Sequence, residues 1–225
     1  TVTMNQKRWV TANFVSNVGR TNVWSGSNVW ESVANWSLGA MPSTLDEVII
    51  AAGTVILTQP RQIVALTVSN GAAVMFTNWN TSLTASNVVV MGGGALTLPP
   101  AFTNGQMSNR VYVVCTNFTL EAGGWIDADG KGYGRDTGPG LGGGFPTDWQ
   151  PGSGHGGWGG NCQGYMHDVT GGGPTRGSLA EPTLPGSGGL SCSPATGSFG
   201  GSGGGAVRLI VGGVLTVNGT ISANG

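Results

Sequence analysis

The chain has 225 residues, 39% of them hydrophobic, a net charge of −1 and only 8% charged residues, against a usual level of about 25%. So few charges argue against a cytosolic enzyme, and the hydrophobic content argues against disorder, which combines low hydrophobicity with high net charge. The scattered basic residues form no footprint for nucleic acid or an anionic membrane, and no apolar run reaches the ~18–20 residues that span a bilayer.

In chain order, residues 1–45 are rich in Trp and Asn, with Trp9, Trp24, Trp30 and Trp36, and read as an N-terminal cap or extension. Thr1-Val2-Thr3-Met4 has neither the basic nor the apolar region of a signal peptide. A secreted chain is therefore expected to have lost its signal.

Residues 46–130 are a run of short alternating segments that carry an internal repeat. Leu66-Thr67-Val68 turns at Asn70-Gly71 into Val74-Met75-Phe76. Val88-Val89-Val90 turns through Gly92-Gly93-Gly94 into Leu96-Thr97-Leu98. Phe118-Thr119-Leu120 turns at Gly123-Gly124 into Ile126-Asp127-Ala128. The last copy, Leu215-Thr216-Val217 and Ile221-Ser222-Ala223, lies in a closing segment at 206–225. Period-2 alternation puts one face of each short strand inward. The copies at 66 and 88 stand at the ~20–25-residue spacing of a parallel β-solenoid coil. An antiparallel sandwich, the alternative, would not need the strand-turn-strand unit to recur in register.

The stretch 111–130 also matches 207–225, with Val113, Val114 and Cys115 against Leu209, Ile210 and Val211. Residues 131–205 are then an excursion between two consecutive units, and they hold 27 of the 43 glycines. Unlike a flexible Gly/Ser linker, the excursion contains Phe145, Trp149, Trp158 and Tyr165. An ordered loop pinned by aromatic anchors is expected. The fold expected is all-β: a single-stranded right-handed parallel β-helix with a long glycine-rich insertion.

Asn35-Trp36-Ser37-Leu38-Gly39-Ala40-Met41-Pro42 is followed by Asp46-Glu47-Val48-Ile49-Ile50 and Gly53-Thr54-Val55-Ile56-Leu57. With these motifs, the stretch Thr21–Leu57 resembles the opening unit of large bacterial secreted β-helix proteins, autotransporter passenger-like and repeat-rich surface proteins among them. Ile126 to Tyr133, His155 to Gly160 and Gly203 to Val211 are similar to the glycine-rich inserts of such proteins. The resemblance implies an extracellular or cell-surface address and a structural or adhesive role. It implies no particular activity.

Parallel β-helices also carry polysaccharide lyases, so a carbohydrate-active or carbohydrate-binding module is the alternative function. The charges on the repeat are few: Arg61, Arg110, Glu121, Asp127, Asp129 and Arg208. Asp127 and Asp129 share one strand face and could serve a metal or a sugar, but Asp129-Gly130 is also what a turn wants, and no catalytic residue or cofactor is expected.

Asp127, Asp129 and Asp136, with nearby glycine carbonyls, are candidate calcium ligands, because D-A-D-G-K-G resembles part of a calcium loop without its closing Glu. Asp129-Gly130 also suits a turn. His155 and His167, near Asp148, Asp168 and Cys162, show no transition-metal spacing. Tyr133, Trp149, Trp158 and Tyr165 are candidate glycan-stacking residues, with loop anchoring as the other reading.

Cys162 and Cys192 are the candidate disulfide, which would staple a segment with little core of its own. Cys115, in an apolar run, reads as a buried small hydrophobe. Asn35, Asn80, Asn117 and Asn218 are sequons of the kind an Asn- and Thr-rich chain carries by chance. Thr67, Thr97, Thr119 and Thr216 suggest a threonine ladder, as in ice binding, interrupted by Val89 and Asn218. The expected function is that of an extracellular structural subunit of a self-assembling filament or surface array, its partners being further copies of the chain, by head-to-tail stacking or strand addition, and glycans.

Overall fold

The computed structural model describes residues 19–103, 107–143, 150–155, 157–163, 169–178, 180, 183–191 and 199–225. Fifteen strands are present among them: β1 Thr21–Ser25, β2 Asn28–Val29, β3 Glu47–Leu57, β4 Arg61–Gln62, β5 Ala65–Val68, β6 Ala72–Phe76, β7 Leu83–Val90, β8 Ala95–Thr97, β9 Arg110–Leu120, β10 Trp125–Asp127, β11 Cys162–Gln163, β12 Val169–Thr170, β13 Ala206–Val211, β14 Leu215–Val217 and β15 Thr220–Ser222. Apart from one short 3-10 turn, Val33–Asn35, the described structure is all-β. No helix in it is long and apolar enough to cross a membrane.

Thirteen strands belong to one curled sheet. Every named strand pair in it is parallel, and only β11 and β12 pair antiparallel, as a separate ladder. The strands stack in columns. The first runs through β1, the start of β3, β5, the end of β7, the end of β9 and β14. The second runs through β2, the end of β3, β6, β8, β10 and β15. A third, on the far side of the first, joins β4, the start of β7, the start of β9 and β13.

The alternating sequence explains the stacking. Leu66, Val88 and Phe118 are consecutive register partners, as are Val74, Leu96 and Ile126. All six point inward and are buried. Between the first and second columns the chain turns at Gly53, Gly71, Gly93 and Gly123, each at φ between +75° and +82°. That region is open to glycine without a Cβ penalty. The corner is itself a ladder, with Gly71 N–H donating to Gly93 O (2.9 Å) and Gly93 N–H to Gly123 O (2.8 Å).

At the first unit the core ends in Trp24, Trp30 and Trp36, all buried. Trp36 packs edge-on against both others, at 4.9 and 4.7 Å between ring centroids. The outer edge of β1 is occupied: Ser37 N–H donates to Val23 O (2.8 Å), and the Asn22 amide to Ala40 O (2.8 Å). Asp46, also buried, ties this end to β3 by accepting from the backbone N–H of Ser43 (2.8 Å) and of Arg20 (3.2 Å). Burial raises its pKa, but these bonds and the Arg20 side chain outweigh that and hold it below the ordinary value. A carboxylate with a depressed folded-state pKa contributes stability above its unfolded pKa and loses it as pH falls through the folded one. Thermal midpoints should therefore fall on acidification below about pH 4, and Asp46→Asn should flatten that dependence, as read by calorimetry across pH.

The described parts of 131–205 are neither helix nor parallel sheet. They are short glycine-rich segments bonded to one another, and consecutive N–H groups point to different neighbours. Gly132 donates to Gly203 O (2.7 Å), Tyr133 to Gly186 O (3.0 Å) and Gly134 to Phe102 O (2.8 Å). Donors that rotate among three neighbours are what an extended helix of three residues per turn presents when bundled. The segments approach too closely for side chains: a Cβ on Gly173 would lie 1.8 Å from Gly140 O. The described segments are thus held by backbone pairing that only glycine permits. Tyr133 meets the expectation of an aromatic anchor, buried edge-on against Phe102 at 4.6 Å. Trp158 does not, being 76% exposed.

Candidate functional site

Residues 206–222 form the last unit of the sheet, and β13, β14 and β15 each pair on one side only, with β9, β9 and β10. Among the described residues no strand pairs with their other edges, and an unpaired edge is a template for another strand. The side chains repeat the inward pattern: Leu215 lies over Phe118, Val217 over Leu120 and Ile221 over Ile126. One unit earlier these positions are fully buried, but Leu215, Val217 and Ile221 are 52%, 44% and 42% exposed. With Val207, Leu209 and Val211, which pack against the core from the same unit, they make an apolar face of the kind that marks an interaction surface.

The three aspartates singled out by the sequence each face donors of the protein itself. Asp127 pairs with Lys131, whose Nζ also donates to Thr97 Oγ1 (2.9 Å) and Asp127 O (3.2 Å). The three Lys131 donors are thereby used, in the turn after β10 and beside an open depression lined by Met75, Leu98, Pro100 and Asp129. Asp129 Oδ1 accepts from Ser222 Oγ (2.5 Å) and Asn224 N–H (2.6 Å). These bonds hold its pKa below the ordinary value and join the turn after β10 to the end of β15. Asp136, at φ +60°, accepts from Ser191 N–H (2.6 Å) and Ser191 Oγ (2.8 Å) within the glycine bundle. Among the described residues no three His, Cys, Asp or Glu side chains stand together as a metal site.

Of the candidate glycan-stacking residues, Tyr133 is buried and offers no face, Trp158 is open, and Trp149 and Tyr165 lie outside the described residues. The proposed Cys162–Cys192 bridge lies outside them too: Cys192 is not described, and Cys162 only in its backbone. Cys115 sits between register partners Ala85 and Val211 as a free, buried thiol, and burial pushes its pKa up. The threonines do not form one ladder. Thr67, Val89, Thr119 and Thr216 share a rank, whereas Thr97 belongs to the second column between Met75 and Asp127.

One group was not recognised from sequence. Tyr112 and Arg208 are register partners on the outer wall, and Arg110 stands two residues before Tyr112. The match of 111–130 with 207–225 already placed Arg208 beside Tyr112, but Trp79, the fourth member, comes from a loop with no repeat signature. No family model, no curated protein and no solved structure matches the chain.

Proposed function

We propose that the chain is a right-handed parallel β-helix serving as an extracellular structural or adhesive element, and that it joins a second copy of itself through the face of its last unit. The observation that carries this reading is the contrast between Leu215, Val217 and Ile221, half-exposed, and Phe118, Leu120 and Ile126 directly beneath them, fully buried. A low charge content and a surface of Ser, Thr and Asn support the address, as does the resemblance of 21–57 to bacterial surface β-helix proteins.

Of the two modes of self-association expected, strand addition is favoured over head-to-tail stacking, because the outer edge of β1 is taken by residues 36–40. Two copies that meet through the same face make a closed, isologous pair, the unit from which a surface array is built. Sedimentation velocity across a concentration series tests this. A shift from one copy to two is expected, and a single copy at every concentration contradicts it. A second reading, glycan binding through the insertion, rests on the open ring of Trp158.

A further inference from the structure

The chain has nine lysines and arginines in all, yet two arginines share one tyrosine on the wall of the third column. Arg110 Cζ lies 4.5 Å from the centroid of the Tyr112 ring and 4.8 Å from that of Trp79, and Arg208 Cζ lies 5.2 Å from Tyr112. Among the described residues no carboxylate forms an ion pair with either, and the ion pairs there join Arg20 to Asp46, Arg61 to Glu31 and Lys131 to Asp127, all elsewhere. The Nε of Arg110 is buried without a hydrogen-bond partner, and both burial and the charge of Arg208 push the pKa of Arg110 down.

Arg110 stands opposite Ala206 and Arg208 opposite Tyr112, so the two cations are diagonal neighbours whose repulsion offsets part of what the ring contacts contribute. What the arrangement does achieve is preorganisation. Aromatic contact engages the face of a guanidinium and leaves its in-plane N–H donors to other partners, in the fork geometry that binds carboxylate and sulfate oxygens in pairs. Of the two side chains, Arg208 is the exposed one.

We propose that Arg110 and Arg208, held by Tyr112 and Trp79, form an oxyanion site for an acidic saccharide. The neighbouring outward rank of the column, Gln62, Thr84, Val114 and Ile210, is uncharged. Two cations beside an uncharged wall suit a ligand with isolated charges among hydroxyls. A nucleic acid backbone would call for a row of cations.

Calorimetric titration of the whole chain with hyaluronan oligomers (carboxylates), heparin oligomers (carboxylates and sulfates), cellohexaose (neutral) and sodium sulfate tests the assignment. At least one acidic oligomer is expected to bind, more weakly as salt rises, and cellohexaose is not. Arg208→Gln, on an exposed side chain, should weaken binding by about tenfold or more, and Arg208→Lys should restore part of it. Three results would overturn the proposal: no binding of either acidic oligomer, equal binding of cellohexaose, or affinity unchanged in Arg208→Gln. Sulfate binding as tightly as the oligomers would overturn the saccharide assignment and identify a site for a free anion.

Discussion

Replacing Gly173 with alanine is expected to open the glycine bundle while the parallel sheet stays folded. The new Cβ would lie 1.8 Å from Gly140 O and 2.6 Å from Gly154 N, both backbone atoms with no rotamer to yield. Gly173 is also bonded at this point, donating to Gly152 O (2.8 Å) and accepting from Gly159 N–H (2.9 Å). Overpacking a close-packed site costs about 1–3 kcal/mol, and the upper end of that range applies where no side chain can move aside. Gly171→Ala is the control, because a Cβ there meets nothing within 4 Å. Limited proteolysis should cut Gly173→Ala within 131–205 much faster than Gly171→Ala, with strand amides protected in both. Equal cleavage of the two variants would mean that the bundle does not depend on backbone contact.

The second large effect is at the open face. Leu215→Lys with Ile221→Lys should leave the single chain folded, since both side chains are already half in water. In a pair those ammonium groups would be buried against apolar surface without partners, which is strongly unfavourable. Association should weaken about a hundredfold or more, read as a shift of the sedimentation midpoint. The same position one unit inward behaves differently. Phe118→Ala opens a cavity in a fully buried stack and should cost about 3–5 kcal/mol of folding stability. If the double-lysine variant associates like the parent chain, the last unit is not the contact.

The residues that announced the fold were those whose side chains alternate. Leu66, Val88, Phe118 and Leu215 fall into one rank, and Val74, Leu96, Ile126 and Ile221 into another, in the order of the sequence repeat. The match of Val113–Cys115 with Leu209–Val211 is met residue by residue. The parallel ladders between units exclude the antiparallel sandwich.

What could not be read lacks a side-chain period. β4 is two residues long, too short for alternation, so its place in the third column has no local signature. The glycine bundle is held by backbone groups that look alike at every position. The aspartates hid their partners through distance: Asp129 is satisfied by Ser222 and Asn224, and Asp136 by Ser191, contacts that follow only once the last unit and the bundle are in place. The aromatic residues of the insertion divided for a similar reason, since Tyr133 found Phe102 from before the excursion and Trp158 found solvent.

Hydrogen exchange of the backbone amides of residues 206–222, followed as a function of protein concentration, tests the central claim most directly. If the last unit pairs with a second copy, the outward-directed amides of β13, β14 and β15 exchange quickly at low concentration and become protected as it rises, while those of β5, β7 and β9 stay protected throughout. Protection of the last unit that does not change across a range in which mass measurements show association would place the contact elsewhere and contradict the account.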